Sequence, residues 1–318
     1  AFDCLVFASP VFAPRDFATN HNAMITANNM TSHQIPSIIR KVSIIRKSWL
    51  MLAELSPALI AQVQDAAKLL VSKRRICILT GAGISAESGI PTFRDKQTGL
   101  WENYKAEDLA TPDAFARDPK LVWSWYQWRR KLVADKTPNP AHHALAQWQQ
   151  HTMSNQQQMT LITQNVDNLH EQAGSTVIHL HGNLWRNRCS QCQTPYPDPA
   201  KDSNNSAEVM DYAETLLTCP HCNGYIRPDI VWFGEALPVD AWQTAESAAA
   251  HCEVFISIGT SSLVYPAAGL AQLAKQNGAK VIEINPDPTP NTIVDITLAE
   301  KAGVVMPVLI AHMTALQS

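Results

Sequence analysis

The sequence predicts a doubly wound α/β fold, a parallel sheet covered by helices on both faces and interrupted by a smaller inserted domain. Three observations predict it. Short, nearly all-apolar runs recur at residues 76–80, 159–163, 177–180, 254–258, 280–284 and 294–297, as expected of strands buried on both faces. Most are separated by helical or loop segments, the alternation that builds a parallel sheet. A glycine-rich turn, Gly81-Ala-Gly83-Ile-Ser-Ala86, follows the first run directly.

Composition narrows the class. With 318 residues, 46% hydrophobic and 17% charged, the chain reads as a folded globular protein rather than a disordered one. A net charge of -3 supplies no overall basic field, so nucleic acid is not an expected partner. No uninterrupted apolar run reaches the ~18 to 20 residues that cross a bilayer, so no membrane association is expected. Seven cysteines are too few to staple a chain of this length, and four of them fall in two Cys-x-x-Cys pairs. A reducing compartment is expected: the cytoplasm, or the mitochondrial matrix if the first residues are a transit peptide. The chain is expected to be a monomer.

The first 50 residues have clustered Asn and Thr, only Asp3 and Asp16 as acids, and the repeat Ser37-Ile-Ile-Arg-Lys and Ser43-Ile-Ile-Arg-Lys. They read as a poorly structured extension or a mis-assigned translation start ahead of Met51, with an organelle leader as the alternative. Order begins at Ser56, an N-cap, with Pro57 at the first helical position and the stripe Leu59, Ile60, Val63, Ala67 and Leu70. That helix feeds the first strand.

The turn that follows has the strand-to-helix setting of a dinucleotide fingerprint. Gly81 permits the tight turn, Gly83 a close backbone approach to a pyrophosphate, and Ala86 close helix packing. A dehydrogenase should then show an acid roughly 20 residues on, at the end of a second strand. Glu102 has the spacing but lies in a loop-like run, Gly99-Leu-Trp101-Glu-Asn-Tyr. Instead the loop continues as Gly89-Ile-Pro-Thr92-Phe93-Arg94-Asp95, adding a ring and a cation, so hydride transfer is the weaker reading.

Residues 101–150 form an aromatic-rich helical stretch. Within it, 121–132 predicts a helix with Leu121, Trp125, Trp128 and Leu132 on one stripe and Val122, Tyr126, Arg129 and Val133 on the next. Tyr126 and Arg129, three apart, share a face, where a phenol and a guanidinium can grip a carboxylate. Spacing alone also allows a surface Arg beside a half-buried Tyr.

Polar residues then follow strand after strand: Thr163-Gln164-Asn165-Val-Asp167, His179-Leu-His181-Gly182, Gly259-Thr260-Ser261 and Asn285-Pro286-Asp287. Ligands of open α/β sheets sit at such carboxyl ends. Asn165 and Asp167 can orient a ribose, a carboxamide or a water, and His181 can act as a general base. His142, His143, His151 and His170 read as helix or surface residues. Cys189-Ser-Gln-Cys192 and Cys219-Pro-His-Cys222 can supply four thiolates to one tetrahedral Zn²⁺, leaving no open position, so the metal should be structural. His221 reads as a bystander, and Cys77 and Cys252 as buried thiols beside strands.

Taken together, residues 81–95, Gln164-Asn-Val-Asp167, His181-Gly182, the cysteine pairs, Gly259-Thr-Ser261 and Asn285 resemble the sirtuin family of NAD-dependent protein lysine deacylases, in order from about Met51 to the C-terminus. The resemblance implies a catalytic domain over 51–318. Its Rossmann-like part is expected at about 56–95, 159–183 and 229–318, with a helical insertion at about 96–158 and a zinc-binding insertion at about 184–228. NAD is implied as co-substrate and an acyl-lysine protein or peptide as partner, meeting in the cleft between the parts.

On this resemblance Ala82, Phe93, Arg94, Gln164, Asn165 and Asp167 face nicotinamide and its ribose, while Gly259, Ser261, Asn285 and Ala302 face the adenosine half. Gly81, Gly83, Glu87, Thr92, Trp101, Thr260, Pro286 and Asp287 complete the expected NAD set. His181 is carried over as catalytic base with Asn165 beside it. Val231, Phe233, Gly234 and Glu235, with Leu263-Val-Tyr, would pair with the substrate peptide as an added strand. The implied chemistry has the acyl oxygen displace nicotinamide from NAD, His181 deprotonate a ribose hydroxyl, and water release lysine and O-acyl-ADP-ribose. The loop 94–111, with Gly99 as hinge, reads as a lid.

Within that family, Trp125-Tyr126-Gln-Trp-Arg129-Arg130 is similar to the Tyr-x-x-Arg signature of the branch that removes succinyl, malonyl and glutaryl groups. Removal of acidic acyl groups, and of acetyl besides, is therefore expected. The alternatives are a deacetylase without that preference, ADP-ribosyl transfer or NAD hydrolysis on the same scaffold, and an NAD-sensing or zinc-ribbon binding module, which the presence of His181 and Asn165 argues against.

Overall fold

The computed structural model describes residues 55–92, 104–152, 156–197, 215–290 and 293–317. Phe93, Arg94, Asp95, Gly99 and Trp101, most of the expected lid, and the first 50 residues lie outside these. The first helix, α1 (Pro57–Val71), starts as its sequence dictates: the Ser56 hydroxyl accepts the Leu59 N–H at 3.3 Å, and Pro57 supplies a first-turn residue with no donor to waste. Leu59, Val63, Ala66, Ala67 and Leu70 are buried, whereas Ile60 of the expected stripe is half-buried.

Along the chain follow β1 (Arg75–Thr80), α2 (Ala82–Ala86), α3 (Ala106–Leu109), α4 (Pro112–Arg117), α5 (Pro119–Ala134), α6 (Pro140–Thr152), β2 (Gln158–Thr163), α7 (Leu169–Gln172) and β3 (Ile178–His179). After these come β4 (Gly182–Cys189), β5 (Pro195–Tyr196), β6 (Ile226–Ile230), α8 (Val239–His251), β7 (Val254–Ile258), α9 (Gly269–Gln276), β8 (Lys280–Ile284), β9 (Ile296–Leu298) and α10 (Ala302–Gln317).

Six strands form one parallel sheet in the order β3-β2-β1-β7-β8-β9. From β1 the chain winds outward through β2 and β3, then returns to the other flank of β1 at β7. The winding direction therefore reverses between β1 and β7, the place where open α/β sheets open a crevice for ligands. The central strands are buried on both faces: all five residues of β7 and residues 76–80 of β1 are inaccessible or nearly so. Cys77 and Leu79 point to one face and pack with Ala245, Ala249, Leu270 and Ala274 of α8 and α9. On the other side of the fold α10 packs against α1 and α6.

The outer strands depart from the sequence reading. The run expected over 294–297 pairs as strand only from Ile296, because Asp295 anchors the edge through its carboxylate, which accepts the Val281 N–H at 2.8 Å and the ammonium groups of Lys275 and Lys280 at 2.5 and 3.0 Å. His142 and His170, read as helix or surface residues, lie in helices, α6 and α7, and there are buried at 0% and 2% exposure with rings 4.9 Å apart. Apolar periodicity does not flag a histidine that turns inward.

A second, antiparallel sheet orders β5-β4-β6. Its inner end shares a core with the helical stretch, where Leu109, Phe115, Val122, Trp125, Tyr126 and Val133 meet Leu184, Ile230 and Trp232. No helix among the described residues is long and apolar enough to cross a membrane.

Candidate functional site

The crevice at the reversal point is built by two glycine turns that interlock. The Gly81 N–H donates to the Ile258 carbonyl at 2.9 Å and the Gly83 N–H to the Gly259 carbonyl at 2.8 Å. A Cβ added at Gly83 would lie 2.7 Å from the Gly259 Cα, and Gly259 itself holds φ +58 with Ile84 N only 2.5 Å from an added Cβ. Neither position admits a side chain. Gly83, expected to admit a pyrophosphate, is also required by the neighbouring turn, and the two turns meet as bare backbone at the ends of β1 and β7. Glu87, read as part of the same binding loop, reaches to the start of α10, where its carboxylate accepts the Gly303 N–H at 2.8 Å beside buried Ala302.

Polar side chains from the strand ends converge here. Asn165 is buried and its amide donates to the Gly81 carbonyl at 3.0 Å and the Ser85 hydroxyl at 3.1 Å, tying the end of β2 to the glycine turn. Gln164 donates to the Thr260 hydroxyl at 3.1 Å, and Asn285 donates to the Thr260 carbonyl at 3.1 Å. Asp167 accepts the Leu169 N–H at 3.1 Å, and burial raises its pKa against that stabilising bond. His181 is half-buried; its Nδ1 lies 3.0 Å from the Gln164 carbonyl, and burial lowers its pKa. Ala82, Ser261 and Asn285 are half-buried, and Pro286 and Asp287 exposed, along the same rim.

Two further residues position these groups, neither of them given a role by the sequence. Ser85 sits inside the glycine motif yet holds Asn165. His179, two residues before His181 at the end of β3, bridges the Asn165 carbonyl at 3.0 Å to the Glu171 carboxylate at 2.7 Å.

The zinc ligands lie at the far end of the small sheet. Cys189 ends β4, and the Sγ atoms of Cys189, Cys192, Cys219 and Cys222 all fall within 4.8 Å of one another, with Cys189 to Cys222 at 3.4 Å and Cys192 to Cys219 at 3.7 Å. Tetrahedral Zn–S bonds of about 2.3 Å place sulfurs about 3.8 Å apart, so the four fit one zinc ion. The Gln191 N–H points at the Cys189 sulfur at 3.4 Å, and His221 is exposed and outside the cluster. The strands leaving this corner run inward to Gly182 and Ile230, and the next link is Val231 N–H to the His181 carbonyl at 3.0 Å. A metal here anchors the ladder whose other end holds His181, without touching the chemistry. One zinc per chain by elemental analysis is expected, with Cys219→Ser losing both zinc and several degrees of melting temperature; a folded, zinc-free native protein would contradict this.

The helical stretch adds the remaining candidates. α5 carries Tyr126 and Arg129 one turn apart, as its spacing predicts, with Val122, Trp125, Tyr126 and Val133 buried and Leu121, Trp128 and Leu132 half-buried. Tyr126 is 2% exposed and accepts a hydrogen bond from the Trp232 indole at 2.8 Å. Arg129 is half-buried, its guanidinium carbon 5.2 Å from the Trp125 ring centroid, and burial lowers its pKa. Arg130 beside it is committed to structure, donating to the Leu184 carbonyl at 2.8 Å and the Asn187 side chain at 2.7 Å. Val231 is half-buried, Phe233 and Gly234 are exposed, and Glu235 grips Arg227. Trp232 and Arg227 were not singled out by the sequence; nothing in spacing shows that β6 delivers them against α5.

The comparisons agree with this geometry. A family model described as the Sir2 family matches residues 81–266. The chain is similar to the NAD-dependent protein deacylase 2 of Pyrobaculum aerophilum, 46% identical over 250 residues, covering 77% of this chain and 94% of that protein. It is also similar to the NAD-dependent protein deacylase of Methylococcus capsulatus, 47% identical over 261 residues, covering 81% of this chain and 96% of that protein. Among solved structures, a Sir2 homolog–NAD complex superposes with a TM-score of 0.71 at 44% identity, covering 80% of this chain and 94% of that one.

Proposed function

We propose, from the premise that the chain belongs to the Sir2 family and is an NAD-dependent protein deacylase, that the acyl groups it removes best are those ending in a carboxylate, succinyl and malonyl, with acetyl a poorer substrate. One observation carries the acyl reading: α5 puts the Arg129 guanidinium, half-buried, on the same face as the buried Tyr126 hydroxyl. Burying a guanidinium is costly, and the lowered pKa of Arg129 reports that cost. A carboxylate brought by the substrate would offset it, accepting the planar fork of Arg in a paired hydrogen bond and the Tyr126 proton as well. An acetyl methyl offers nothing in exchange.

The crevice chemistry suits NAD. Its side chains are amides and hydroxyls, Gln164, Asn165, Thr260, Ser261 and Asn285, which suit ribose hydroxyls and a carboxamide, and the two interlocked glycine turns present backbone free of side chains, as a phosphate chain requires. When bound, NAD supplies the cleavable bond between nicotinamide and ribose. The chain's own task is then to orient, exclude water and move a proton. Asn165, fixed by two hydrogen bonds, orients; His181 takes the proton. Segment 231–235 is tied to the His181 carbonyl through Val231 and to the Ala110 carbonyl through Phe233, and it turns at Gly234, where the Glu235 N–H donates to the Trp232 carbonyl at 3.0 Å, so a peptide would meet a turn there.

The test is one peptide carrying acetyl, malonyl or succinyl lysine, incubated with protein and NAD, with products read by mass spectrometry. O-acyl-ADP-ribose formed fastest from the acidic acyl groups is the expected result. Acetyl removed as fast as succinyl would overturn the acyl reading, and ADP-ribosylated peptide without deacylation would move the activity to transfer.

A further inference from the structure

We propose that Trp232 is a positioning residue that makes the Tyr126 hydroxyl a hydrogen-bond donor toward an acidic acyl group, and that Arg227 and Glu235 lock Trp232 in place for that task. The inference rests on the acidic-acyl reading above.

An indole N–H can only donate. At 2.8 Å from Trp232 Nε1, the Tyr126 oxygen is therefore the acceptor, and the hydroxyl's own proton is left for a second partner that must accept. A carboxylate only accepts, so the arrangement selects for it. Without the indole, a phenol can turn either way and serve a donor or an acceptor alike.

The indole is held on several sides. The guanidinium carbon of Arg227 lies 3.2 Å from its ring centroid, and the Phe115 ring lies 5.2 Å away. Arg227, 3% exposed, is clamped in turn by both Glu235 oxygens at 2.5 and 2.9 Å and donates to the Ile230 carbonyl at 2.7 Å. Glu235 also accepts the backbone N–H of Trp232 at 2.8 Å, closing a ring of contacts from Trp232 through Arg227 and back. An ion pair this deep is costly to bury and strongly destabilising to break from one side, so it holds a defined geometry. The backbone on either side of Trp232 is fixed as well, at Val231 to the His181 carbonyl and at Phe233 to the Ala110 carbonyl. Trp232 thus connects the peptide-facing segment to the face of α5 that carries Tyr126.

The experiment is a double-mutant cycle on the full chain: wild type, Trp232→Phe, Tyr126→Phe and the double variant, each assayed for kcat/KM with succinyl-lysine and acetyl-lysine peptides. Phenylalanine keeps a ring under Arg227 and removes the donor together with part of the indole's bulk, a packing loss that falls on both substrates alike. Trp232→Phe should lower kcat/KM for succinyl-lysine by about tenfold and for acetyl-lysine far less, and the double variant should be no worse than Tyr126→Phe alone. Additive losses, or equal losses with both substrates in Trp232→Phe, overturn the proposal while leaving the acidic preference of the wild type standing. A wild type without that preference removes the acyl reading and this inference with it. If Trp232→Phe does not fold, Arg227→Lys, which keeps the charge but loses the planar stack, must show the same selective loss; an equal loss on both peptides, or none, overturns the proposal.

Discussion

Replacing His181 by alanine lowers kcat/KM for deacylation by about two to four orders of magnitude, the usual worth of a positioned general base. The geometry makes this residue a base before any substrate arrives. A backbone carbonyl can only accept, so at 3.0 Å from the Gln164 oxygen it is Nδ1 of His181 that carries the proton. Nε2 is left with its lone pair bare. Burial disfavours the imidazolium and outweighs the opposing hydrogen bond from Nδ1, so the pKa falls below the ordinary 6.5. The sign for activity follows: the working form is unprotonated, so rate is lost as pH falls through a pKa lower than that of free imidazole, and the acid limb of kcat/KM has its midpoint below 6.5. Steady-state rates across pH 5 to 8 check both points. A His181→Ala protein, folded by circular dichroism, that keeps activity within about tenfold of wild type takes the base role away from His181. A wild-type acid limb above 6.5 contradicts the tautomer and burial argument, because burial moves a neutral histidine the other way.

How much of this was legible in the sequence differs from one layer to the next. The strands of the large sheet show as apolar runs because a strand covered on both faces has no polar face to alternate with, and β1, β7 and β8 lie where those runs stand. Cysteine spacing marks the zinc corner because a metal needs its ligands at a fixed bite. What the sequence hides is pairing across distance. That Gly83 exists to admit Gly259, 176 residues away, follows only from the winding reversal between β1 and β7. His170 reads as a helix or surface residue; it is in the helix α7, but its burial against Thr80, with Nε2 3.0 Å from that hydroxyl, is not legible from spacing. Trp232 reads as one more aromatic in an exposed-looking run, Val231-Trp-Phe-Gly, until the turn after β6 directs it inward, leaving Phe233 at 47% exposure. Tyr126 and Arg129 were visible as a pair because helix geometry is local; their surroundings, supplied by β4 and β6, were not.

Arg129→Met is the sharper test of specificity, with kcat/KM for succinyl-lysine falling by about ten- to a hundredfold and that for acetyl-lysine far less, from the typical worth of a hydrogen bond to a charged group. Methionine keeps an unbranched stem of similar reach to lie along the Trp125 ring, so the change removes charge more than packing. It also removes the desolvation cost that lowers the Arg129 pKa, which eases burial of an apolar acyl end and pushes the ratio of the two substrates further the same way. Tyr126→Phe alone is less clean, because it leaves the buried Trp232 N–H without its acceptor and charges that loss to the fold, at about 1 to 3 kcal/mol. The neighbouring guanidinium supplies the contrast. Arg130 is buried and spends its donors on Leu184 and Asn187, so Arg130→Met should cost melting temperature and reduce both activities together. If Arg129→Met behaves like Arg130→Met, losing succinyl and acetyl removal in equal measure, then Arg129 is a structural cation and the acidic acyl group has no receptor on α5.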